Sequence, residues 1–496
     1  VKPLELRQPG AVLLLSCYEL GRQPLTLASA IAVLRDAGFH PAAIDLSRQR
    51  LDEDAVRRAR VVAIAVPMHT ALRVGVVAAE KVRALRRDAR LVFFGLYAAL
   101  NGEALLERGA EAVIGGECDD PLRRFLEDVD AGGSGAVPGV RTAGHPAAAW
   151  IERPAPPVPA RDLFPPIDSY ARLEANGLSI VAGQIEASRG CRHLCRHCPI
   201  PPVYGGRFFV VPEEVVLADA RRQVDSGARH LSFADADFLN GPGHALRVLR
   251  ALHVEHPDVT YDVTAKVEHL LKHRDRLAEM RDLGVLFAIS AVESLDDHVL
   301  RILDKGHTRQ DVETVLEAAR AAGLTLRPTF VPFTPWSGRE VFRDLLAFIA
   351  REDLIDAVDP VQLTIRLLVP PGSLLAAHPE MTPHITALDA GRFTWTWNHP
   401  DPDMDRLHAA CTEIVEAGAR GGTPHEEVFA RLAALAGGDH PVGIPAATDG
   451  AAATDGAAAK RRPGRPPAPR LSEPWFCCAE PMRDQLDAPF ETNAGV

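Results

Sequence analysis

The sequence has no uninterrupted apolar run approaching the ~20 residues that a membrane-spanning helix needs, even though 47% of its 496 residues are hydrophobic. A membrane partner is therefore not expected. The first twenty residues, VKPLELRQPGAVLLLSCYEL, lack the small-residue cleavage pattern of a secretory signal. Their apolar stretch reads as a first strand, and the cytoplasm is the expected location. A basic surplus is missing as well. The formal net charge is -11, and phosphate binding needs basic surface, so nucleic acid is not expected as the main partner. The one basic run, KRRPGRPPAPR (460–470), has no recognisable binding fold around it and reads as a solvated linker. Cysteines number eight, too few and too uneven for a secreted disulfide scaffold.

The chain is too long for one core, which predicts two or three domains. Its first part alternates strand-like and helix-like segments. AVLLLSCY (11–18), AAIDLS (42–47), VVAIAVPM (61–68), RLVFFGLYA (90–98) and AVIGGE (112–117) read as strands. LTLASAIAVLRDAGF, VVAAEKVRALRRD and PLRRFLEDVD read as helices between or after them. The pattern predicts a parallel, doubly wound sheet, whose ligands bind beyond the C-terminal strand ends. Residues 131–167 are rich in Gly, Ala and Pro and read as a connection. A second alternating series follows, with strands SIVAGQIEAS, HLSFADA, VTYDVTA, VLFAISA, TLRPTFVPF and VQLTIRLLV. Six βα units in succession predict a partial (β/α) barrel with functional residues on the same kind of strand end. Residues 376–438 read as a smaller helical region. The stretch 441–472, with its repeat TDGAAATDGAAA, has too few large apolar groups to fold and reads as a tether.

Three of the cysteines, Cys191, Cys195 and Cys198, fall within CRHLCRHC. Random placement would give about 0.002 such C-x3-C-x2-C triplets, so the cluster is not chance. Three thiolates on one loop suit three corners of a four-iron, four-sulfur cubane, with the fourth iron open. Zinc is the competing ligand, through the thiolates and His193 or His197, but no second ligand pair stands at a convincing spacing.

On this motif, residues 181–375 resemble the radical SAM core, whose signature is C-x3-C-x-Φ-C with Φ usually aromatic. His197 holds the Φ position, and the resemblance implies that its ring lies near the adenine of S-adenosylmethionine (SAM). A [4Fe–4S] cluster and SAM are the implied cofactors, with an electron donor such as flavodoxin or ferredoxin. SFADADFLN (232–240) resembles the segment contacting the SAM amino group, through Asp235 and Asp237, although either residue equally suits a helix cap. SAVESLDDHVLRILDKG (290–306) resembles the fourth-strand segment of cobalamin-binding members, which implies that Glu293 and Ser294 reach the ribose or methionine part. Lys266 and Arg327 are implied partners of the SAM carboxylate.

GLYAALNGEALLERGAEAVIGGECDDPLRRFL (95–126) is similar to the end of the cobalamin-binding domains that precede many such cores. The D-x-H-x-x-G motif is absent, so cobalamin would bind without that lower histidine. His69, in VPMHTALR, reads more readily as a cap or surface residue. The expected organisation is then α/β throughout: a Rossmann-type cobalamin-binding-like domain (1–130), a linker (131–179) and a partial (β/α)6 barrel (180–375). A helical region (376–440), a disordered linker (441–472) and a cysteine-containing tail (473–496) complete it.

The tail carries FCCAEP (476–481), which resembles the CUAEP/CCAEP-tail radical SAM proteins. Adjacent thiols in a flexible segment chelate soft centres or relay reducing equivalents. The tail is also similar to that of enzymes building arsinothricin-type organoarsenicals. This implies transfer of the 3-amino-3-carboxypropyl group of SAM to arsenite, or a comparable soft acceptor, held by Cys477 and Cys478. An additional downstream cysteine of those enzymes is absent. The rival readings are a cobalamin-dependent methyltransferase and an iron–sulfur redox or metal-sensing protein.

Overall fold

Two β-sheets, each wound with helices, organise the chain in a computed structural model that describes residues 4–153, 155–437, 467–473, 486 and 488–490. The first sheet contains β1 (Val12–Ser16), β2 (Ala42–Asp45), β3 (Val61–Ala65), β4 (Arg90–Phe94), β5 (Ala112–Ile114) and β6 (Val140–Arg141), in the order β2-β1-β3-β4-β5-β6. The first five are parallel and β6 is antiparallel. Strands β1, β3 and β5 are fully buried apolar runs, as expected for a parallel sheet covered on both faces. The strand order reverses between β1 and β3, which is the switch point where such sheets open a crevice. The first helix, Leu25–Asp36, starts beside that point. The buried Glu19 carboxylate accepts from the Leu25 and Thr26 backbone amides at 3.0 and 3.4 Å and satisfies its first donors.

The second sheet holds β7 (Arg172–Ala175), β8 (Leu178–Ile185), β11 (His230–Phe233), β12 (Thr260–Thr264), β13 (Val285–Glu293), β14 (Thr325–Phe330) and β17 (Arg470–Leu471). Strands β8, β11, β12, β13 and β14 run parallel in that order, with β7 and then β17 antiparallel at one edge. This is the curled sheet of a partial barrel. The segment VQLTIRLLV enters the barrel differently from a plain sixth strand. It begins as a 3-10 turn, Pro360–Thr364, and joins β14's extension through a single bridge, Phe333 to Arg366. The physical reason is Gln362, whose side-chain oxygen accepts from the Phe330 amide at 3.3 Å and takes the place of a strand carbonyl.

Between β8 and β11 lies a separate two-stranded ladder, β9 (Ser188–Gly190) with β10 (Phe208–Val210). A hairpin, β15 (Ile385–Asp389) with β16 (Thr394–Trp397), precedes the helices Pro402–Gly421 and His425–Ala436. The connection between the sheets packs through specific bonds. Arg161, on that connection, makes a two-pronged ion pair with the buried Asp219 and donates to the Gln184 carbonyl. No described helix is long and apolar enough to cross a membrane.

Candidate active site

The C-terminal ends of both sheets open on one cavity of about 470 Å³. The first sheet contributes Glu19, Leu20 and Arg22 after β1, Pro67 and Met68 after β3, Gly95, Leu96 and Tyr97 after β4, and Gly116 to Asp119 after β5. The GGE turn is small because it must be. A Cβ on Gly116, whose φ is +78°, would stand 2.2 Å from the Trp150 carbonyl oxygen. This wall sets the apolar Leu20, Pro67, Met68, Leu96 and Tyr97 among the charged Glu19, Arg22, Glu117 and Asp119, and His69 is not part of it.

The opposite wall carries the cysteines. Cys191 follows β9 directly, and its amide donates to the Arg207 carbonyl at 3.1 Å just before β10. The whole excursion 191–207 is therefore pinned at its base by the β9–β10 ladder. Gly190 sits at φ +77°, where a Cβ would meet that same Arg207 oxygen at 2.5 Å. Within the loop, the Cys198 amide donates to the Cys195 carbonyl at 3.2 Å. The Arg196 amide reaches the Leu303 carbonyl at 2.9 Å, and its guanidinium donates to the Arg301 and Ile302 carbonyls. The three cysteines are free thiols lining the cavity, with Cys191 and Cys195 buried.

The donor set fits an iron–sulfur cluster better than zinc. His197 turns Nε2 to the Glu293 carboxylate at 3.1 Å, while His193 faces Lys266 through Nδ1 at 3.1 Å. The three sulfurs do not gather at the within-4.8 Å spacing of a single-ion site, and these two ring nitrogens face Glu293 and Lys266 rather than a thiol, which suits a cubane rather than one zinc ion.

Glu293 ends β13 at φ +71°, a conformation that strains a residue with a Cβ. That turn aims its carboxylate at His197 and at the buried Lys305 ammonium, 3.4 Å away. Burial by itself would raise the Glu293 pKa, yet Lys305 and His197 bring it down to about 2. Lys305 also feels Cys195 and Cys198, and with Glu293 they keep it protonated against the cost of burial. Sequence reasoning missed this lysine. It lies in an Asp-Lys-Gly turn that looks like surface, although the left-handed Asp304 and Gly306 on either side direct it inward.

The other predicted residues divide into two groups. His197, Asp235, Asp237, Lys266 and Glu293 line the cavity with the cysteines. Ser294 and Arg327 do not. The Ser294 hydroxyl accepts from the Asp296 amide in the turn after β13. Arg327 pairs with Asp359 at 3.0 Å and donates to the Asp356 and Pro469 carbonyls, on the far side of β14. Asp235, though in the wall, spends its oxygens on the Ala187 amide and the Ser188 hydroxyl, at 2.9 and 2.5 Å. Burial pushes it up to about 7. Cys477 and Cys478 lie outside the described residues.

A buried ionic cluster joins the two walls. Arg189, two residues before Cys191, pairs with Glu186, Glu117 and Asp119 at 2.7, 3.0 and 3.1 Å, and donates to Ser29. Glu117 also accepts from the Tyr204 hydroxyl at 3.0 Å.

Residues 185–346 match the radical SAM superfamily. They form a radical SAM domain. The match spans β11 to β14 and the cysteine loop, and this fold implies a [4Fe–4S] cluster and SAM as cofactors. The chain is similar to the hopanoid C-3 methylase of Methylococcus capsulatus, at 26% identity over 49% of this chain and 45% of that protein. It is also similar to the ribosomal protein uS12 methylthiotransferase RimO of Thermus thermophilus, at 28% identity over 53% of this chain and 62% of that one. The chain thus spans about half the length of the curated relatives it matches. Two solved structures share the fold beyond the radical SAM domain. The cobalamin-dependent radical SAM enzyme OxsB aligns over 82% of this chain and 67% of its own, with a TM-score of 0.65 at 14% identity. The radical SAM methyltransferase TsrM of Kitasatospora setae, solved with cobalamin and a [4Fe–4S] cluster, covers 70% of this chain and 74% of its own, at 0.55 and 18%.

Proposed function

We propose that this chain is a cobalamin-using radical SAM methyltransferase acting on a small molecule held between its two sheets. The observation that carries the reading is the shared cavity. The cysteine loop that follows β9 lines it together with the switch-point wall of a doubly wound sheet. The methylase and methyltransferase names of the hopanoid enzyme and TsrM support it, as does the cobalamin in the TsrM and OxsB structures.

When bound, the cluster supplies one electron for reductive cleavage of SAM, and the corrin supplies a carrier for the methyl group. This chain's residues then have distinct tasks. Cys191, Cys195 and Cys198 hold three irons. His197 and Glu293 bound the SAM space, and the Lys266 and Lys305 ammonium groups answer its carboxylate in place of Arg327. Asp235 fixes the β8–β9 turn from which the cysteine loop starts. Leu20, Met68, Leu96 and Tyr97 exclude water from the wall assigned to the corrin. An electron carrier of the flavodoxin or ferredoxin type and a cytoplasmic location belong to the same proposal.

The wall assignment has a direct test. Leu96→Arg places a cation on the first-sheet wall of the cavity, in the helix that follows β4. Anaerobically reconstituted protein of this variant is expected to keep its iron and sulfide but to bind corrin at least about tenfold more weakly, since burying an unpaired charge costs several kcal/mol. Unchanged corrin loading in that variant would remove cobalamin from this wall.

A second reading has one observation in its favour. The end of the expected tether and the start of the tail are docked near the cavity: Arg470 and Leu471, within the stretch expected to be disordered, pair as a strand with β7, and Glu473 accepts from the Tyr18 hydroxyl at 2.7 Å, beside the lining residues Glu19 and Leu20. This supports a role for Cys477 and Cys478 as holders of arsenite or another soft acceptor of the aminocarboxypropyl group. With both replaced by serine, arsenite-dependent release of 5′-methylthioadenosine from SAM is expected to disappear. Undiminished release would exclude the tail thiols as the acceptor site.

A further inference from the structure

Three polar atoms beside the cysteine loop converge without bonding one another. His193, between Cys191 and Cys195, brings Nε2 to 3.5 Å from Asp237 Oδ2. His269, on the short helix Val267–Lys272 after β12, brings Nδ1 to 2.7 Å from the same oxygen. The two imidazole rings lie 4.5 Å apart at an angle of 58°. All three atoms fall within 4.8 Å of one another. Asp237 is 1% exposed. Its other oxygen, Oδ1, is occupied, accepting from the Leu239 amide at 3.1 Å. Oδ2, His193 Nε2 and His269 Nδ1 are all buried, and none has a hydrogen bond of acceptable geometry among the described residues.

An ordinary hydrogen-bonded triad would align an N–H with the carboxylate oxygen. Here the short His269 contact is misaligned, and the second nitrogen stands off at a distance too long for a bond. Three buried, unsatisfied polar atoms cost roughly 1–3 kcal/mol each, so their convergence requires a partner. Two imidazoles and a carboxylate bound to one ion at ~2.0–2.2 Å from each ligand stand roughly 3–3.5 Å from one another, and the two contacts to Asp237 Oδ2, at 3.5 and 2.7 Å, bracket that spacing.

We propose that His193, Asp237 and His269 bind a divalent transition-metal ion of the zinc, iron or manganese class, separate from the ion set held by the cysteines. Nitrogen and oxygen ligands without sulfur select that class. His193 and Asp237 both line the cavity, so the remaining coordination positions face it. Three protein ligands leave room for water or an anionic oxygen of a bound molecule. The surroundings also supply an outer partner. Glu268 Oε2 is 3.6 Å from His193 Nδ1 and 3.1 Å from the Lys266 ammonium. In this structure the Lys266 ammonium donates to His193 Nδ1 at 3.1 Å; with Nε2 on the ion, Nδ1 carries the proton, so Lys266 turns wholly to its pair with Glu268 and Nδ1 is left directed to that carboxylate. Carboxylates in this outer position orient ligating histidines.

The test counts metal rather than turnover. Protein with its cluster reconstituted is stripped with a mild chelator, equilibrated with Zn²⁺ and washed, and its metals are counted by plasma mass spectrometry. About one zinc per chain beyond the cluster iron is expected. Zinc affinity falls at least about tenfold in His269→Ala and in Asp237→Asn, with cluster iron and sulfide unchanged. Asn at 237 retains the oxygen that accepts from the Leu239 amide. Zinc bound equally in both variants would place it on thiols and overturn the site. A Co²⁺ titration of the wild-type chain keeps the proposal falsifiable if either variant fails to fold. Visible d–d bands and imidazole-nitrogen hyperfine coupling are expected, and their absence overturns it.

Discussion

Cys191→Ala, Cys195→Ala and Cys198→Ala are each expected to lose the iron–sulfur absorption and to bring SAM cleavage down to that of a protein-free blank. Each removes one of three thiols on a loop whose base, middle and end are held by backbone bonds to Arg207, Leu303 and Cys195. The loop has no spare ligand. His193 and His197 face Lys266 and Glu293, and Cys118, the other described cysteine of the cavity, stands on the opposite wall with its thiol at the Ile114 and Gly116 carbonyls. With one thiol gone, the remaining two would hold only two of the irons. The fold is expected to survive, because the β9–β10 ladder and the Arg196 contacts do not involve the sulfurs. Iron and sulfide analysis beside circular dichroism checks both halves. Full cluster content in any of the three variants would place the cluster elsewhere.

Arg189→Met is expected to destabilise the protein by about 3–5 kcal/mol near neutral pH, the usual result of stripping the counter-ion from buried charges. The guanidinium is the common partner of Glu186, Glu117 and Asp119. Its removal leaves three carboxylates at the seam between the sheets with no cation. The pH dependence follows from their environment. Burial already raises the pKa of Glu117 and Glu186, and Arg189 opposes that rise. Without it both rise further. A carboxyl whose folded pKa lies above its unfolded value penalises the fold when ionised and ceases to do so once protonated. The deficit of Arg189→Met is therefore largest above the raised pKa values and shrinks as pH falls through them. Thermal unfolding of variant and wild type at several pH values measures this, and a deficit independent of pH would contradict the charge argument. Because Arg189 leads into the cysteine loop, the variant is also expected to load its cluster more slowly.

Much of this architecture was legible in the residues. Strands β1, β3, β4 and β5 are continuous apolar runs punctuated by helical patterns, and that alternation admits little but a parallel wound sheet. The cysteine loop was legible because thiol spacing is chemistry, not packing. What escaped depended on direction. Arg327 lies on a barrel strand, yet a two-residue period does not say which face meets the cavity, and Asp359 draws it to the other side. Lys305 was hidden by the habit of lysines to be exposed, overturned here by the Glu293 carboxylate and two left-handed neighbours. The hairpin β15–β16 lay within a stretch expected to be helical, although TWTW alternates as strands do. VQLTIRLLV reads as a strand, but Pro360 starts a tight turn and Gln362 supplies by side chain the acceptor that a strand supplies by backbone.

One cavity serves both walls, the cysteine loop on one side and the first sheet on the other. The most direct measurement is mass spectrometry of the SAM-derived products of anaerobically reconstituted protein, with reductant, in the presence and absence of hydroxocobalamin. For a corrin-using methyltransferase, S-adenosylhomocysteine is expected to form in the presence of the corrin, to be lost in Cys195→Ala, and to fall in Leu96→Arg together with corrin binding. Efficient SAM cleavage by protein free of corrin, yielding 5′-methylthioadenosine and no S-adenosylhomocysteine, would contradict the methyltransferase assignment.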